Sequence, residues 1–140
     1  MHTSPSGKVN PIGVALILGV IAAIYYVVVF SPVYLDNFDV SEAVAAAYNQ
    51  VDQISDDRIL PALKGKLDRI GTHREPNEDG VLEETMGLGL DEDALTIDRN
   101  PDGTVLVRVA YTREVRLKPT QRWVKVRFAP QRSGRPAGSK

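Results

Sequence analysis

Three regimes of hydrophobic patterning follow one another along the chain, and each predicts a different kind of element. The first is an unbroken apolar run. Pro11 to Phe30 is 20 consecutive residues without a charge. As a helix it is roughly 30 Å long, the hydrocarbon thickness of a bilayer. Inside lipid only a helix satisfies such a segment's backbone. Pro11 suits the first helical turn, where a missing N–H is no loss. Ser31-Pro32 predicts the end of the span, at residues 11–30. The run is longer than a signal-peptide core, and no small-x-small cleavage site follows it, so an uncleaved anchor is expected. Tyr25 and Tyr26 lie deeper than an interfacial aromatic belt would, whereas Phe30 and Tyr34 lie near the exit.

The second regime has a helical period. Asp39-Val40-Ser41-Glu42 reads as a helix start, with Asp39 as cap and Glu42 reaching back. Val44, Ala47, Tyr48, Val51 and Ile54 then follow helical spacing, predicting an amphipathic helix to about Gln53. A second helix is expected from about Asp57 to Ile70, with Ile59, Leu60, Leu63, Leu67 and Ile70 on its apolar face and Gly71 as its stop. Residues 72–93 form an acidic connection that is long for a loop. It is expected to be partly mobile or to hold one short strand near Val81–Leu82.

The third regime alternates with period two. Leu95 and Ile97 precede the turn signature Asn100-Pro101-Asp102-Gly103. Val105, Val107, Val109, Tyr111, Val115 and Leu117 then share one parity. After Lys118-Pro119-Thr120, Val124, Val126 and Phe128 alternate with Trp123, Lys125 and Arg127. This pattern predicts an antiparallel three-stranded meander with one apolar face. The fold class is therefore α+β: a transmembrane helix, then two amphipathic helices packed on a β-meander. The chain divides into an N-terminal cytoplasmic tail (1–10), the span (11–30), an extracytoplasmic domain (31–130) and a tail (131–140) whose Gly, Pro, Ser and Arg content predicts disorder.

Charge changes this picture more than composition does. The net charge is −1, but its distribution is uneven. Residues 31–102 carry 17 Asp and Glu against 6 Lys and Arg, whereas residues 103–140 carry 10 Lys and Arg against Glu114 alone. Such segregation suits two halves docking within one domain, or two faces offered to different partners. Before the span the only charged side chain is Lys8; after it come Asp36 and Asp39, with no Lys or Arg until Arg58. The positive-inside rule then places the N-terminus in the cytoplasm and the C-terminal domain outside, in the periplasm if the cell is a bacterium with two membranes. Zero cysteines exclude a disulfide framework and thiolate chemistry. Two histidines, one at position 2, make a histidine metal centre improbable.

Few motifs carry chemistry. Asp98-Arg99-Asn100-Pro101-Asp102-Gly103 matches the start of a calcium loop, but position twelve is Val109, so a β-turn is the better reading. Gly87-Leu88-Gly89-Leu90 lacks the third glycine of a phosphate loop. His73 has no partner at metal spacing and reads as a surface residue. No nucleophile or Walker pattern occurs, so no catalytic, cofactor or metal residues are assigned and the chain is not expected to be an enzyme. Two features remain. Ala15, Gly19 and Ala23 recur every four residues, a stripe that would let the helix of a membrane protein partner approach. Arg108, Arg116, Trp123, Lys125 and Arg127 form a basic face with one aromatic residue. Such a face also suits nucleic acid. The expected topology excludes that ligand and leaves anionic lipid or an acidic protein.

Two resemblances add to this reading. Ser31-Pro32-Val33-Tyr34-Leu35, the helix around Ile59 to Ile70, the segment Asp102 to Tyr111 and the strand Trp123 to Phe128 resemble a family of short bacterial single-pass membrane proteins. That family has a C-terminal α+β domain of unknown function. The likeness covers about residues 10–129 and implies no catalytic residues. The plan of a span running into an amphipathic helix and then an antiparallel sheet also resembles type IV pilins and pseudopilins, in shape. Those are cut after a Gly and carry a Glu five residues beyond. Here Gly7 is in place but Ile12 holds the Glu position. The expected function is a non-catalytic, membrane-anchored binding or accessory module of the bacterial inner membrane. The alternatives are a pilin-like structural component or a small accessory subunit of a membrane enzyme complex.

Overall fold

The structure, a computed structural model, describes residues 7–137. It is α+β. A long helix α1 (Pro11–Tyr48) is followed by α2 (Asp56–Leu67), β1 (Thr72–Pro76), β2 (Leu82–Met86), a short 3-10 turn (Glu92–Ala94), β3 (Leu95–Arg99), β4 (Val105–Val109), β5 (Tyr111–Leu117), β6 (Arg122–Phe128) and β7 (Gln131–Gly134).

α1 does not end at Ser31-Pro32. The span and the first amphipathic helix are one helix of 38 residues, so the boundary expected at residue 30 falls in mid-helix. Asn10 is its N-cap, accepting from the Ile12 N–H at 3.1 Å, with Pro11 in the first turn. Asp39 is not a cap, and Ser41 lies inside the helix, where its hydroxyl donates to the Asn37 carbonyl at 2.8 Å. Pro32 supplies no N–H for the Val28 carbonyl, a loss that costs a helix interior about 3 kcal/mol. The helix persists because its next four turns are buried on one side: Val33, Val40, Ala43, Val44 and Ala47. This helical stripe begins before Asp39 and binds the two segments into one rod. Up to Val28, by contrast, the apolar side chains of α1 lie uncovered, and the helix is long and apolar enough to cross a membrane.

The sheet is not a single three-stranded meander. Seven strands form three small antiparallel sheets, β1-β2, β3-β4-β7 and β5-β6. The expected alternation holds on β4 and β5, where Val105, Val107, Val109, Tyr111 and Val115 are all buried, but not on β6, where Val124 is exposed and Val126 and Phe128 are only partly covered. The backbone nevertheless changes partners at Ala110. The Val109 N–H bonds to the Pro130 carbonyl at 3.0 Å and the Ala110 N–H to the Ala94 carbonyl at 2.8 Å. Strand twist accumulates along so long a segment, and short neighbours cannot follow it from end to end. The tail expected to be disordered from Gln131 instead pairs as β7 with β4, Val105 opposite Gly134 and Arg108 opposite Gln131. Residues 138–140 of that tail lie outside the described residues.

The acidic connection is also ordered. β1 and β2 form a hairpin in which Thr72 faces Met86 and Pro76 faces Leu82. Its turn is built by Asn77, whose side-chain oxygen accepts from the N–H groups of Asp79 (3.0 Å) and Val81 (2.9 Å). Gly80 supplies the positive φ that the turn needs. β2 begins at Leu82, where one short strand is expected, but every residue of it is exposed, so no apolar alternation marks its extent in the sequence.

One core joins the layers. Val40, Val44, Ile59, Leu63, Leu67, Leu88, Leu95, Val107, Val109 and Tyr111 pack together between α1, α2 and the sheets. Polar contacts then register α1 on β5. Arg113, on the apolar parity, is buried with Nη1 2.9 Å from Asp36 Oδ2. That approach is an ion pair without hydrogen-bond alignment. Gly71 lies against both groups, and a Cβ there would stand 1.8 Å from Arg113 Nη1. One residue along, the Tyr111 hydroxyl donates to Asn37 Oδ1 at 3.0 Å. At the far end Arg99 donates to both Asp56 carboxylate oxygens (2.6 and 3.2 Å) and to the Val51 carbonyl (2.9 Å), pinning β3 to the α1–α2 corner.

These contacts set a test. Asp36→Asn keeps the shape of the side chain but leaves the Arg113 charge buried without a counter-charge. It should cost about 2 kcal/mol in denaturant unfolding, less than a fully buried pair loses, because a quarter of the Asp36 side chain is in water. An unchanged midpoint would show that the pair does not hold α1 to β5.

Candidate functional site

The basic face is set by the pleat of β5 and β6. With Tyr111 and Val115 turned inward, Thr112, Glu114 and Arg116 must point out. The antiparallel register places Arg127, Lys125 and Trp123 opposite them in that order. On β4 the same rule turns Arg108 outward. All five residues expected from sequence, Arg108, Arg116, Trp123, Lys125 and Arg127, are exposed on their strands.

The face is more structured than a row of free cations. Glu114 sits at its centre, with Arg74 Nη1 3.4 Å from one carboxylate oxygen and Lys125 Nζ 3.9 Å from the other. Arg74 comes from β1 and was not foreseen as part of the face. Its guanidinium also stacks over Trp123 at 4.0 Å from the ring centroid, while Arg116 stands 6.0 Å from the same ring. The Trp123 indole is thus a plate on which one guanidinium stacks and near which a second stands. Between the β1–β2 and β5–β6 hairpins lies a cleft of about 300 Å³, lined among others by His73, Arg74, Glu84, Glu114, Trp123 and Lys125.

His73 is half-buried rather than the surface residue its sequence context suggests. Its Nδ1 lies 2.9 Å from the Gly87 carbonyl, which can only accept, so that nitrogen carries the hydrogen. Its Nε2 faces Glu75 Oε1 at 3.6 Å. The ring packs on Gly89, where a Cβ would stand 2.3 Å from it. Gly87 is equally constrained, with a positive φ and the Asp68 carbonyl 2.6 Å from the place of a Cβ. Between the two glycines Leu88 enters the core. The Gly87-Leu88-Gly89 segment therefore packs a hairpin onto α2.

Asn100 to Thr104 closes the β3–β4 hairpin, the Asn100 N–H bonding to the Thr104 carbonyl at 2.8 Å. Asp102 accepts from the Thr104 hydroxyl and N–H, and these bonds hold its carboxyl below the usual range. Val109, at the calcium-loop position that needs a carboxylate, is fully buried. Burial pushes the Tyr111 hydroxyl well up; Arg113 opposes and Asp36 reinforces the shift, so Tyr111 remains the donor to Asn37. Among the described residues no group of three His, Cys, Asp or Glu is placed to hold a metal ion. On α1, Ala15 and Gly19 border a shallow apolar groove with Ala23 that nothing else in the described chain covers.

Chemically, the face offers fixed positive charge and an aromatic plate, which suit binding of anions. Arg113 and Arg74 were missed in the sequence for different reasons. Arg113 had a signal, because a charge on the apolar parity of a strand implies a buried partner. Arg74 had none, since its strand has no apolar alternation.

No protein-family model matches this chain, and neither the curated proteins nor the solved structures match it.

The stacking on Trp123 is measurable as a coupling. Arg74→Ala and Trp123→Ala should be non-additive by about 0.5–1 kcal/mol in a double-mutant unfolding cycle. Additive losses would mean that the two side chains are neighbours without mutual attraction.

Proposed function

We propose that this chain is a non-catalytic, single-pass protein of the bacterial inner membrane. Its N-terminal flank lies in the cytoplasm, and its α+β domain stands in the periplasm as a binding or accessory module of a membrane complex. The observation that carries the reading is α1: its bare first half is long and apolar enough to cross a membrane, and its second half is the spine of the domain core. A domain built this way is held at the membrane surface without a linker. The orientation rests on Lys8 before the span against Asp36 and Asp39 after it. The basic residues of β4 to β6 arrive late in synthesis and far from the span, so they weigh little in insertion.

The outward positions Arg108, Lys125 and Arg127 supply a fixed anion-binding surface suited to an acidic protein partner. Bare small residues on α1 supply a second contact, within the bilayer, for a partner helix. One observation favours a second reading, a pilin-like structural component. The unbroken α1, apolar and uncovered at one end and sheet-packed at the other, has the shape of a filament subunit. Ile12 in place of the acidic residue speaks against the usual assembly route.

Two measurements test the assignment. A reporter that works only outside the cytoplasm, fused after Lys140, should be active. Activity of a cytoplasm-only reporter instead would invert the topology. Purification in mild detergent should recover a defined partner with the wild type and lose it with Arg108→Gln, Lys125→Gln and Arg127→Gln combined. Recovery of filaments would favour the pilin-like reading, and an equal yield of partner from the triple variant would remove the basic face from the function.

A further inference from the structure

The β5–β6 hairpin lies along α1 and points toward the bilayer. At its base Phe128 meets Tyr34 edge-on, with ring centroids 5.6 Å apart, and stacks on Tyr111 at 5.4 Å. At its tip the Lys118 carbonyl accepts a hydrogen bond from the Tyr25 hydroxyl. Tyr25 precedes the end of the apolar run by five residues, about 7.5 Å of helix. The folded hairpin therefore reaches below the level where the sequence alone would put the membrane surface.

That geometry limits how deep α1 can sit. If hydrocarbon extended to Phe30, it would enclose the tip, whose polar turn runs from Lys118 to Gln121. Turn backbone has no place in lipid. α1 must ride outward until the tip reaches the headgroup zone, roughly 5–7 Å thick on each side of the hydrocarbon. Tyr25 and Tyr26 then stand at the interface, where aromatic belts belong. Their depth, anomalous in the sequence, becomes the ordinary position. At the other end Lys8 is drawn toward the hydrocarbon and can reach back to the surface by its flexible stem.

Three cations surround the tip. Arg116 lies near the end of β5, Lys118 opens the turn and Arg122 begins β6; all three are exposed, and none is within ion-pair distance of a described carboxylate. They are the part of the basic region nearest the bilayer, whereas Arg127 lies at the hairpin base and Arg108, on β4, beyond it. We propose that the β5–β6 tip binds anionic lipid headgroups, with Arg116, Lys118 and Arg122 on the phosphates and the membrane boundary at Tyr25–Tyr26. The proposal rests on reading α1 as a span, and it divides the basic region in two. Its membrane-proximal end grips lipid, and its distal end stays free for a protein.

The cysteine-free chain allows a direct test. Full-length Thr120→Cys, Leu18→Cys and Gln53→Cys variants are spin-labelled and reconstituted in phosphatidylcholine, with or without phosphatidylglycerol. Depth is read from collisions with dissolved oxygen against a water-soluble nickel chelate. Leu18 should report hydrocarbon, Gln53 bulk water and Thr120 the headgroup zone, more firmly in the anionic bilayer at low salt. Replacing Arg116, Lys118 and Arg122 by Gln should weaken docking in that bilayer roughly a hundredfold, moving the Thr120 label toward water. Lys118→Gln alone, with an unchanged melting curve, should move it in the same direction by a smaller amount.

A Thr120 label as wet as Gln53 in both bilayers would overturn the proposal, and so would a depth indifferent to lipid charge and to the substitutions. A wet Leu18 label would instead refute the span itself. Inverted topology in cells would leave all these depths unchanged, because both leaflets of the test vesicles carry the same lipids.

Discussion

The domain is assembled on one side of a helix whose first half is apolar all round and uncovered. α1 is apolar all round up to Val28 and apolar on one stripe where the sheets pack on it. The change occurs within about one turn of Pro32. Val33 is the first fully covered side chain, and Asp36, Asn37 and Val40 continue its row into the domain. Because the helix does not break, the azimuth of the stripe is fixed relative to the span. Every later element inherits that alignment: α2 and β3 close over the far end, and β4, β5 and β7 lie along the middle. The cost of a proline in mid-helix is outweighed by the burial of Val33, Val40 and Val44 at about 1.5 kcal/mol or more each.

Charge is used in three ways within a few residues of one strand. Arg113 is buried and points at the helix, where Asp36 answers it. Glu114 points outward and holds Arg74 and Lys125 in position. Arg116 points outward and has no acid beside it. Neighbouring positions on a strand thus face different media, and the pleat alone decides which charge is structural and which remains available. The acidic half of the chain does not neutralise the basic half wholesale. Most of its carboxylates stay in water, and of the like-charged pair Glu75 and Glu83, directly opposite in β1–β2, Glu83 accepts a hydrogen bond from the Asn77 side chain at 3.0 Å.

Much of this was legible in the sequence wherever a single periodicity governed a segment. The apolar run, α2, the β3–β4 turn and the parity of residues 105–117 all follow from local pattern. The outward placement of Arg108 and Arg116 follows from that parity, and that of Trp123, Lys125 and Arg127 from their pairing with β5. What escaped needed information from a distance. A proline and a capping-box pattern predict a helix end, and only the buried stripe beginning at Val33 overrides them. The corner at Ala110 leaves no mark, because alternation is identical on both sides of it. β1, β2 and β7 are polar strands, held by backbone pairing and by turn residues such as Asn77 and Gly80. Arg74 comes to the site on one of them, so the stack on Trp123 had no local trace.

The absence of a joint in α1 makes the protein a lever. From Tyr25 to Tyr48 the helix extends about 35 Å at 1.5 Å per residue. A tilt of about 20°, ordinary for a membrane helix, would carry the far corner of the domain roughly 12 Å sideways. In a tethered domain such a tilt would be lost in the linker. In an α1 that spans a bilayer without a joint, it would be delivered whole to the surface around Arg99 and Asp56. On the proposed reading of α1 as a span, local bilayer thickness, which sets the tilt of a span, would be converted into the direction in which the domain faces.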